Sequence, residues 1–169
     1  MLWIIIGTLT SYCIGSVPTA YLFCRVIKGV DIRSVGSGNV GATNAARILG
    51  KQIGLIVLLL DIVKGIVAVA LLGSLLYPHS SAFIADKATI MIIFGIGAIC
   101  GHNWPVFLSF KGGKGVATSL GVLIGLAISL ESLRIIVGLV VLTWAIFFLI
   151  TRIVSIASII AAVSLPLYL

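Results

Sequence analysis

The stretch IGLIVLLLDIVKGIVAVALLGSLLY, residues 53–77, decides the fold of this chain. Its only charged side chains are Asp61 and Lys64, and it is long enough to cross about 30 Å of hydrocarbon as an α-helix. In a bilayer, a helix satisfies its own backbone hydrogen bonds, whereas membrane strands alternate in polarity and need partners. We therefore predict a membrane-spanning helix here.

The rest of the chain has the same character. Of its 169 residues, 61% are hydrophobic and 9% are charged, and the mean hydropathy is +1.33. Soluble domains carry about 25% charged residues, so the composition excludes a soluble protein. The sequence predicts an all-α, polytopic integral membrane helix bundle that forms a single domain over residues 1–169.

Six apolar segments are candidates for membrane spans. Four are long, at residues 2–27, 53–77, 135–150 and 154–169. The other two, at 88–100 and 116–130, reach only about 20 Å each as helices. If both are short, the polar segment between them lies sunk in the membrane, where non-helical backbone is tolerated inside protein or around a polar cavity.

Basic residues predict the orientation, because Lys and Arg collect in cytoplasmic loops. Alternating the six segments places eight basic residues on one side of the membrane and two on the other. The first group is Arg25, Lys28, Arg33, Arg47, Lys51, Lys111, Lys114 and Arg152, and the second is Lys87 and Arg134. We expect an outside N-terminus and a cytoplasmic position for the polar segments 28–52 and 101–115.

The motif KGGKG, residues 111–115, is a candidate anion site. Glycines let backbone N–H groups point at one small anion, and the helix that follows adds the positive end of its dipole. We predict a phosphate-binding loop; the alternative is a flexible turn whose lysines contact anionic lipid headgroups. A Walker A motif is excluded, because Leu108 and Gly115 stand where it requires Gly and Ser or Thr.

A second polar motif, VGSGNVGATN at residues 35–44, precedes Arg47 and Lys51. Its glycines, serine and asparagine predict a loop, and Thr43 or Asn44 is expected to cap the following helix. Helical spacing then places Asn44, Arg47 and Lys51 on one face, which predicts a second anion-accepting surface. The alternative is an amphipathic helix on the membrane, with the two basic side chains reaching the interface.

Three further polar residues lie within or next to the apolar segments. Asp61 and Lys64 are spaced for a mutual ion pair inside the membrane, and they support the loops rather than act directly. His102 lacks an aspartate four or five residues later. We expect it to hydrogen-bond backbone where the helix breaks at Pro105.

The connection between the last two spans carries Arg152 and Ser155. Arg152 either meets the same cavity or acts as a positive-inside anchor. The three cysteines lack the paired spacing of a metal site, and the sequence predicts no metal and no cofactor.

Three stretches together resemble the bacterial PlsY family, the acyl-phosphate-dependent glycerol-3-phosphate acyltransferases of the inner membrane. They are SGNVGATN with Arg47 and Lys51 downstream, DIVKG at 61–65, and GHNWPVFLSFKGGKGVAT at 101–118. The resemblance covers essentially the whole chain. It implies transfer of a fatty acyl group from acyl phosphate to the 1-hydroxyl of glycerol 3-phosphate, giving lysophosphatidic acid and inorganic phosphate in the first step of phospholipid synthesis.

The implied partners are acyl phosphate, glycerol 3-phosphate and membrane lipids, with no nucleic acid and no acyl-CoA or acyl carrier protein as donor. In the family, a serine and an arginine of the first motif are needed for activity, and the glycine-rich motif is associated with glycerol 3-phosphate. We assign Ser37, Arg47 and Lys114 as catalytic. The candidate substrate-binding residues are Asn39, Gly41, Thr43, Asn44, Lys51, His102, Asn103, Lys111, Gly112, Gly113, Gly115 and Thr118, and the supporting residues are Asp61, Lys64, Arg152 and Ser155.

Family members resemble seven-helix bundles whose third motif, a C-terminal cytoplasmic segment with a histidine, an asparagine and a glutamate, has no counterpart before Leu169. The sequence suggests no Ser-His-Asp or His-Asp arrangement, so we expect direct attack on the donor and no acyl-enzyme. The rival function is a membrane transporter of phosphate or small organic phosphates, where broken helices and intramembrane ion pairs also occur. Both motifs lying on one face, without an internal repeat, favours the enzyme.

Overall fold

The computed structural model describes residues 1–79 and 86–168. Within these residues the chain folds into nine α-helices and short helical turns, without a strand. The helices are α1 (Leu2–Ser16), α2 (Thr19–Lys28), α3 (Ala42–Leu49), α4 (Lys51–Ile66), α5 (Leu72–Leu76), α6 (Lys87–Asn103), α7 (Val116–Ser129), α8 (Arg134–Thr151) and α9 (Val154–Tyr168). A π-helical turn, Val67–Leu71, joins α4 to α5.

The helical membrane fold is confirmed. In the described part of the chain, four helical stretches are long and apolar enough to cross a bilayer: Leu2–Lys28, Lys51–His79, Lys87–Leu108 and Glu131–Thr151. The shorter apolar helices α7 and α9 complete the six predicted segments.

The first segment is two helices and not one, which corrects the single helix expected over 2–27. The chain breaks at Val17–Pro18, between α1 and α2. Proline lacks an N–H and forces the residue before it away from helical geometry, and Val17 accordingly has ψ 112°. The break leaves the Val17 carbonyl free to accept a hydrogen bond from Lys64 Nζ at 3.2 Å.

The expected short span at 88–100 is also wrong. Helix α6 has 17 residues and begins at Lys87, after the N-cap Asp86, whose carboxylate accepts a hydrogen bond from the Thr89 N–H at 2.7 Å. It therefore rises about 26 Å, because Gly101, His102 and Asn103 continue the helix up to the break before Pro105. Helix α7 has 14 residues, as expected, so only one of the two flanking helices is short. The membrane depth of the segment between them stays a prediction.

The contacts divide the chain into two compact units, Met1–Leu126 and Ala127–Leu169, and the single domain over 1–169 stays a prediction. In unit 2, α8 and α9 pack together through hydrogen bonds from Trp144 Nε1 to Ser158 Oγ (3.1 Å) and between Thr143 Oγ1 and Tyr168 Oη (2.8 Å).

In unit 1, small residues let helices approach closely. Gly15 of α1 lies against the backbone of Ala98 in α6, and Gly121 of α7 lies against the backbone of Ile62 in α4. An added Cβ at either glycine would overlap the facing helix. Such close approach of backbones is the usual source of helix association in membranes, where no hydrophobic effect drives it.

Unit 1 also carries the two polar connections between its helices. We call residues 29–41, between α2 and α3, loop A, and residues 104–115, between α6 and α7, loop B. The tight packing of α1 on α6 and of α4 on α7 fixes the helix ends from which loop B extends.

Candidate active site

Loop A takes its shape from one buried side chain, that of Asn44, which is 2% exposed. Its Oδ1 accepts a hydrogen bond from the Ser37 N–H at 2.9 Å. The two N–H groups of its Nδ2 are shared among three carbonyl oxygens, those of Ile32 (3.3 Å), Val35 (3.1 Å) and Asn39 (3.1 Å). Asn44 thus closes the loop from inside and leaves Ser37 exposed at its tip.

Two expectations about this region are wrong. Neither Thr43 nor Asn44 caps α3, because the helix starts earlier, with Gly41 at the N-cap and no side-chain cap bond. Arg47 and Lys51 do not share one helical face, because α3 ends before Gly50, which has φ 92°, and Lys51 begins α4. Both basic side chains are exposed.

Loop B is held by backbone hydrogen bonds to the end of α6. The Gly112 N–H donates to the Asn103 carbonyl and the Gly113 N–H donates to the His102 carbonyl, each at 3.1 Å. The expectation that both glycine N–H groups point at an anion is therefore wrong, since α6 already uses them. The N–H groups of the first turn of α7, from Val116 onward, have no partner within their own helix and can take that role.

Crowding explains the glycines of loop B. A Cβ at Gly113 would overlap the His102 imidazole and approach the Val40 carbonyl of loop A, and a Cβ at Gly112 would overlap the His102 carbonyl. Gly115 has φ 72°, a left-handed conformation that favours glycine. Gly113 therefore lies where α6, loop A and loop B meet.

The two loops border an open groove with a volume of about 500 Å³. Arg33 and Gly38 of loop A line it together with Lys111 and Gly112 of loop B. The Arg33 Nη1 donates to the Leu108 carbonyl at 3.3 Å and so ties loop A to loop B. The structure thus brings residues of the two polar motifs, at 35–44 and 111–115, together at one groove.

Other assigned residues lie outside this lining. Within residues 1–79 and 86–168, the groove lining includes neither Ser37, next to Gly38, nor Arg47 nor Lys114. Thr118 is fully buried, and its Oγ1 has no hydrogen-bond partner in the described part of the chain. The substrate contacts of these residues stay predictions.

Arg33 belongs to the groove, yet the site assigned from the sequence omits it. Its Nε and Nη2 bind the Asp31 carboxylate, with Nη2 to Oδ2 at 2.6 Å. The Arg33 side chain holds the pKa of Asp31 below its usual value, and the same hydrogen bonds raise the pKa of Arg33. An Asp-x-Arg pair directly before a glycine-rich loop was the signal that could have revealed it.

A buried polar cluster lies beneath loop B. The Oδ1 of Asp61, a residue 1% exposed, accepts from Thr19 Oγ1 at 2.6 Å and pairs with Lys64 Nζ at 3.0 Å. Lys64 Nζ also donates to the Val17 carbonyl at the break between α1 and α2, at 3.2 Å. The predicted ion pair is therefore present, and the helix break completes it.

The same carboxylate lies near a histidine but beyond hydrogen-bond distance, so the expectation of no His-Asp arrangement stays a prediction. His102 Nδ1 lies 3.7 Å from Asp61 Oδ1, and the imidazole is buried. No aspartate stands four or five residues after His102 in the sequence, and the nearby aspartate, Asp61, comes from α4. The predicted hydrogen bond from the His102 side chain to backbone stays a prediction, and the His102 carbonyl accepts a bond from the Gly113 N–H.

Arg152 and Ser155 lie in unit 2, where both are exposed and Arg152 ends α8 with φ 56°. Their contribution to the site stays a prediction. Across residues 1–79 and 86–168, no three His, Cys, Asp or Glu side chains are grouped to hold a metal ion.

The family model for glycerol-3-phosphate acyltransferase matches residues 5–169. The chain belongs to this family. A curated glycerol-3-phosphate acyltransferase of Chlorobium phaeobacteroides is 43% identical over 169 residues, covering 99% of this chain and 69% of the relative. That of Chlorobium phaeovibrioides is 45% identical over 159 residues, covering 93% of this chain and 65% of the relative.

Solved structures of an integral membrane glycerol 3-phosphate acyltransferase, PlsY, are similar in fold. Its glycerol 3-phosphate form has a TM-score of 0.79 at 36% identity, covering 98% of this chain and 75% of that one. Its lysophosphatidic acid form has a TM-score of 0.77 at 35% identity, covering 98% and 74%. The chain described here thus spans about two thirds to three quarters of the lengths of these acyltransferases.

The groove offers chemistry suited to phosphate. Its lining includes two cationic side chains, Arg33 and Lys111, and two residues without side chains, Gly38 and Gly112. Charge-assisted hydrogen bonds from such groups are about twice as strong as neutral ones. The arrangement can hold an oxyanion and stabilise charge that develops on it.

Proposed function

We propose that this chain transfers a fatty acyl group from acyl phosphate to the 1-hydroxyl of glycerol 3-phosphate. The products are lysophosphatidic acid and inorganic phosphate. The observation that carries the proposal is the groove where loop A and loop B adjoin, lined by Arg33 and Lys111, in a member of the glycerol-3-phosphate acyltransferase family. Both substrates carry phosphate, which suits a basic groove.

In the proposed arrangement, loop B and the start of α7 hold the phosphate of glycerol 3-phosphate. Lys111 and Lys114 supply the charge, and the N–H groups of the first turn of α7 supply hydrogen bonds. Ser37 and Asn39 of loop A orient the carbonyl or the phosphate of the donor. The PlsY structures with glycerol 3-phosphate and with lysophosphatidic acid support this choice of acceptor and product.

The proposed reaction is direct attack without an acyl-enzyme. The 1-hydroxyl oxygen forms a bond to the acyl carbonyl carbon, the bond from that carbon to the phosphate oxygen breaks, and the departing phosphate takes the hydroxyl proton. Because the donor is already an activated mixed anhydride, proximity and charge stabilisation suffice. Arg47, Lys111 and Lys114 stabilise the charge on the leaving phosphate.

The donor is tested with the purified chain in lipid nanodiscs. Acyl phosphate, acyl-CoA and acyl carrier protein are each supplied with glycerol 3-phosphate, and lysophosphatidic acid is measured. We expect turnover with acyl phosphate alone, and Lys114→Ala should abolish or severely weaken it. Robust turnover with either thioester would contradict the proposed donor, and glycerol 3-phosphate uptake into sealed vesicles without lipid product would favour the transporter.

We place the chain in the bacterial inner membrane, with its N-terminus outside and the groove on the cytoplasmic side. The eight-to-two distribution of basic residues supports this orientation. A membrane-impermeant thiol reagent applied to intact cells should label a cysteine at Lys87 and leave a cysteine at Arg25 unlabelled until the cells are opened. The reverse pattern would contradict the orientation.

A further inference from the structure

Arg33 has no role in the reaction proposed above, although its side chain lines the groove. It is one third exposed, and it lines the groove together with Lys111. Its contacts with loop B and Asp31 determine what the guanidinium can still bind.

Within residues 1–79 and 86–168, two hydrogen-bond donors of the guanidinium have no partner. An arginine side chain has five N–H groups in a fixed planar fork. The Nε–H and one N–H on Nη2 bind the Asp31 carboxylate, and one N–H on Nη1 binds the Leu108 carbonyl. One N–H on each terminal nitrogen remains and can donate to an oxygen of a phosphate.

The side chain is also held in place before any ligand arrives. Asp31 itself is fixed, because its Oδ1 accepts the Arg33 backbone N–H at 2.9 Å and its carbonyl accepts from Ser34 Oγ at 2.8 Å. The Tyr21 ring lies against the guanidinium, with its centre 5.6 Å from Cζ. A group that is already oriented loses little conformational entropy on binding.

We propose that Arg33 is a phosphate-binding residue of the groove and that Asp31 positions it. Its ligand is a phosphate monoester, which on the function proposed above is glycerol 3-phosphate. Lys111, which lines the same groove, supplies net positive charge, because Asp31 offsets that of Arg33. Arg33 thereby gives loop A a direct hold on the phosphate that loop B binds.

The test is calorimetric titration of the full chain in zwitterionic nanodiscs with glycerol 3-phosphate and, separately, inorganic phosphate. Arg33→Gln should weaken glycerol 3-phosphate binding about tenfold or more, since a hydrogen bond to a charged group contributes about 1.5–3 kcal/mol. Arg33→Lys should recover only part of the loss, because lysine lacks the planar fork. The matched control, Arg25→Gln, removes an exposed arginine outside the groove lining and should change the Kd less than twofold.

Asp31→Asn separates positioning from bulk charge. If Arg33 acted only through its charge, removing the neighbouring carboxylate would tighten binding. The proposal predicts weaker binding, because the guanidinium loses its orientation. Tighter binding by Asp31→Asn, or binding by a folded Arg33→Gln within twofold of the unmodified chain, would overturn the proposal.

These binding measurements are independent of turnover. An unmodified chain that binds glycerol 3-phosphate through Arg33 without acyl transfer would contradict the proposed function and leave the Arg33 proposal standing. A chain that binds neither glycerol 3-phosphate nor inorganic phosphate would contradict both. Should Arg33→Gln fail to fold, Arg33→Lys and Asp31→Asn decide the question by the same criteria.

Discussion

Loop A and loop B border the same groove but are stabilised in different ways. Loop A is held by the buried side chain of Asn44 in α3, which binds four backbone groups. In loop B, the carbonyls at the end of α6 bind the N–H groups of Gly112 and Gly113, and neighbouring atoms leave no room for side chains there. Loop A therefore depends on the hydrogen bonds of one side chain, whereas loop B depends on glycines at positions where a side chain would overlap its neighbours.

This difference determines how each loop can fail. Loop A should lose its shape when hydrogen bonds of Asn44 are removed. Loop B should fail when an atom is added, or when the His102 imidazole beneath it moves. Substitutions of opposite kinds therefore test the two halves of one site.

The largest effect is expected from adding one methyl group to loop B. Gly113→Ala should lower acyl transfer at least about 100-fold, because its Cβ would displace the His102 imidazole and misplace loop B against loop A. Steady-state rates with acyl phosphate measure this. Gly138→Ala in α8 is the matched control, since its Cβ meets open space. Equal activity of the two variants would contradict the crowding account.

The next effect comes from the cluster beneath loop B. Asp61→Asn leaves Lys64 buried without its carboxylate, and such a change costs about 3–5 kcal/mol of unfolding free energy. The double variant Asp61→Asn, Lys64→Met should recover most of that stability in thermal melts. If Asp61 also orients His102, the double variant should keep a reduced kcat. Full recovery of kcat would limit Asp61 to a structural role.

A smaller loss is expected for Asn44→Ala in α3, whose side chain holds loop A. The Ser37 N–H and the carbonyls of Ile32, Val35 and Asn39 lose their partner. Of these four hydrogen bonds only the one to the Ile32 carbonyl is fully buried, so we expect a total cost of about 1–3 kcal/mol. Urea or thermal unfolding should report the loss, with the exposed neighbour Thr43→Ala as the stability control. An Asn44→Ala variant as stable as Thr43→Ala would show that Asn44 does not hold the loop.

The smallest effect concerns pH and the Asp31–Arg33 pair. Because Arg33 lowers the pKa of Asp31 in the folded chain, the contribution of the pair is fully present above about pH 4, the unfolded value. It is lost as the pH falls through the lower, folded pKa. The melting difference between the unmodified chain and Asp31→Asn should stay constant from pH 5 to 8 and shrink only below about pH 4. A difference that disappears already near pH 6 would contradict this assignment.

The apolar segments and the two polar motifs could be predicted from the sequence, because both are local patterns. The break at Pro18 follows from a local rule that the long apolar run at 2–27 obscured. The closeness of Asp61 to His102 could not be predicted from neighbouring residues, because it arises from the packing of α4 near α6. The hydrogen-bond partners of the Gly112 and Gly113 N–H groups could not be predicted either, because they depend on where α6 ends.

The most direct test of a single anion site is hydrogen–deuterium exchange during a glycerol 3-phosphate titration of the chain in nanodiscs. Peptides from loop A and from the junction of loop B with α7 are followed together. The account predicts that both become protected at the same half-saturating concentration, because one phosphate engages both. Protection of only one of them, or protection at clearly different concentrations, would contradict it.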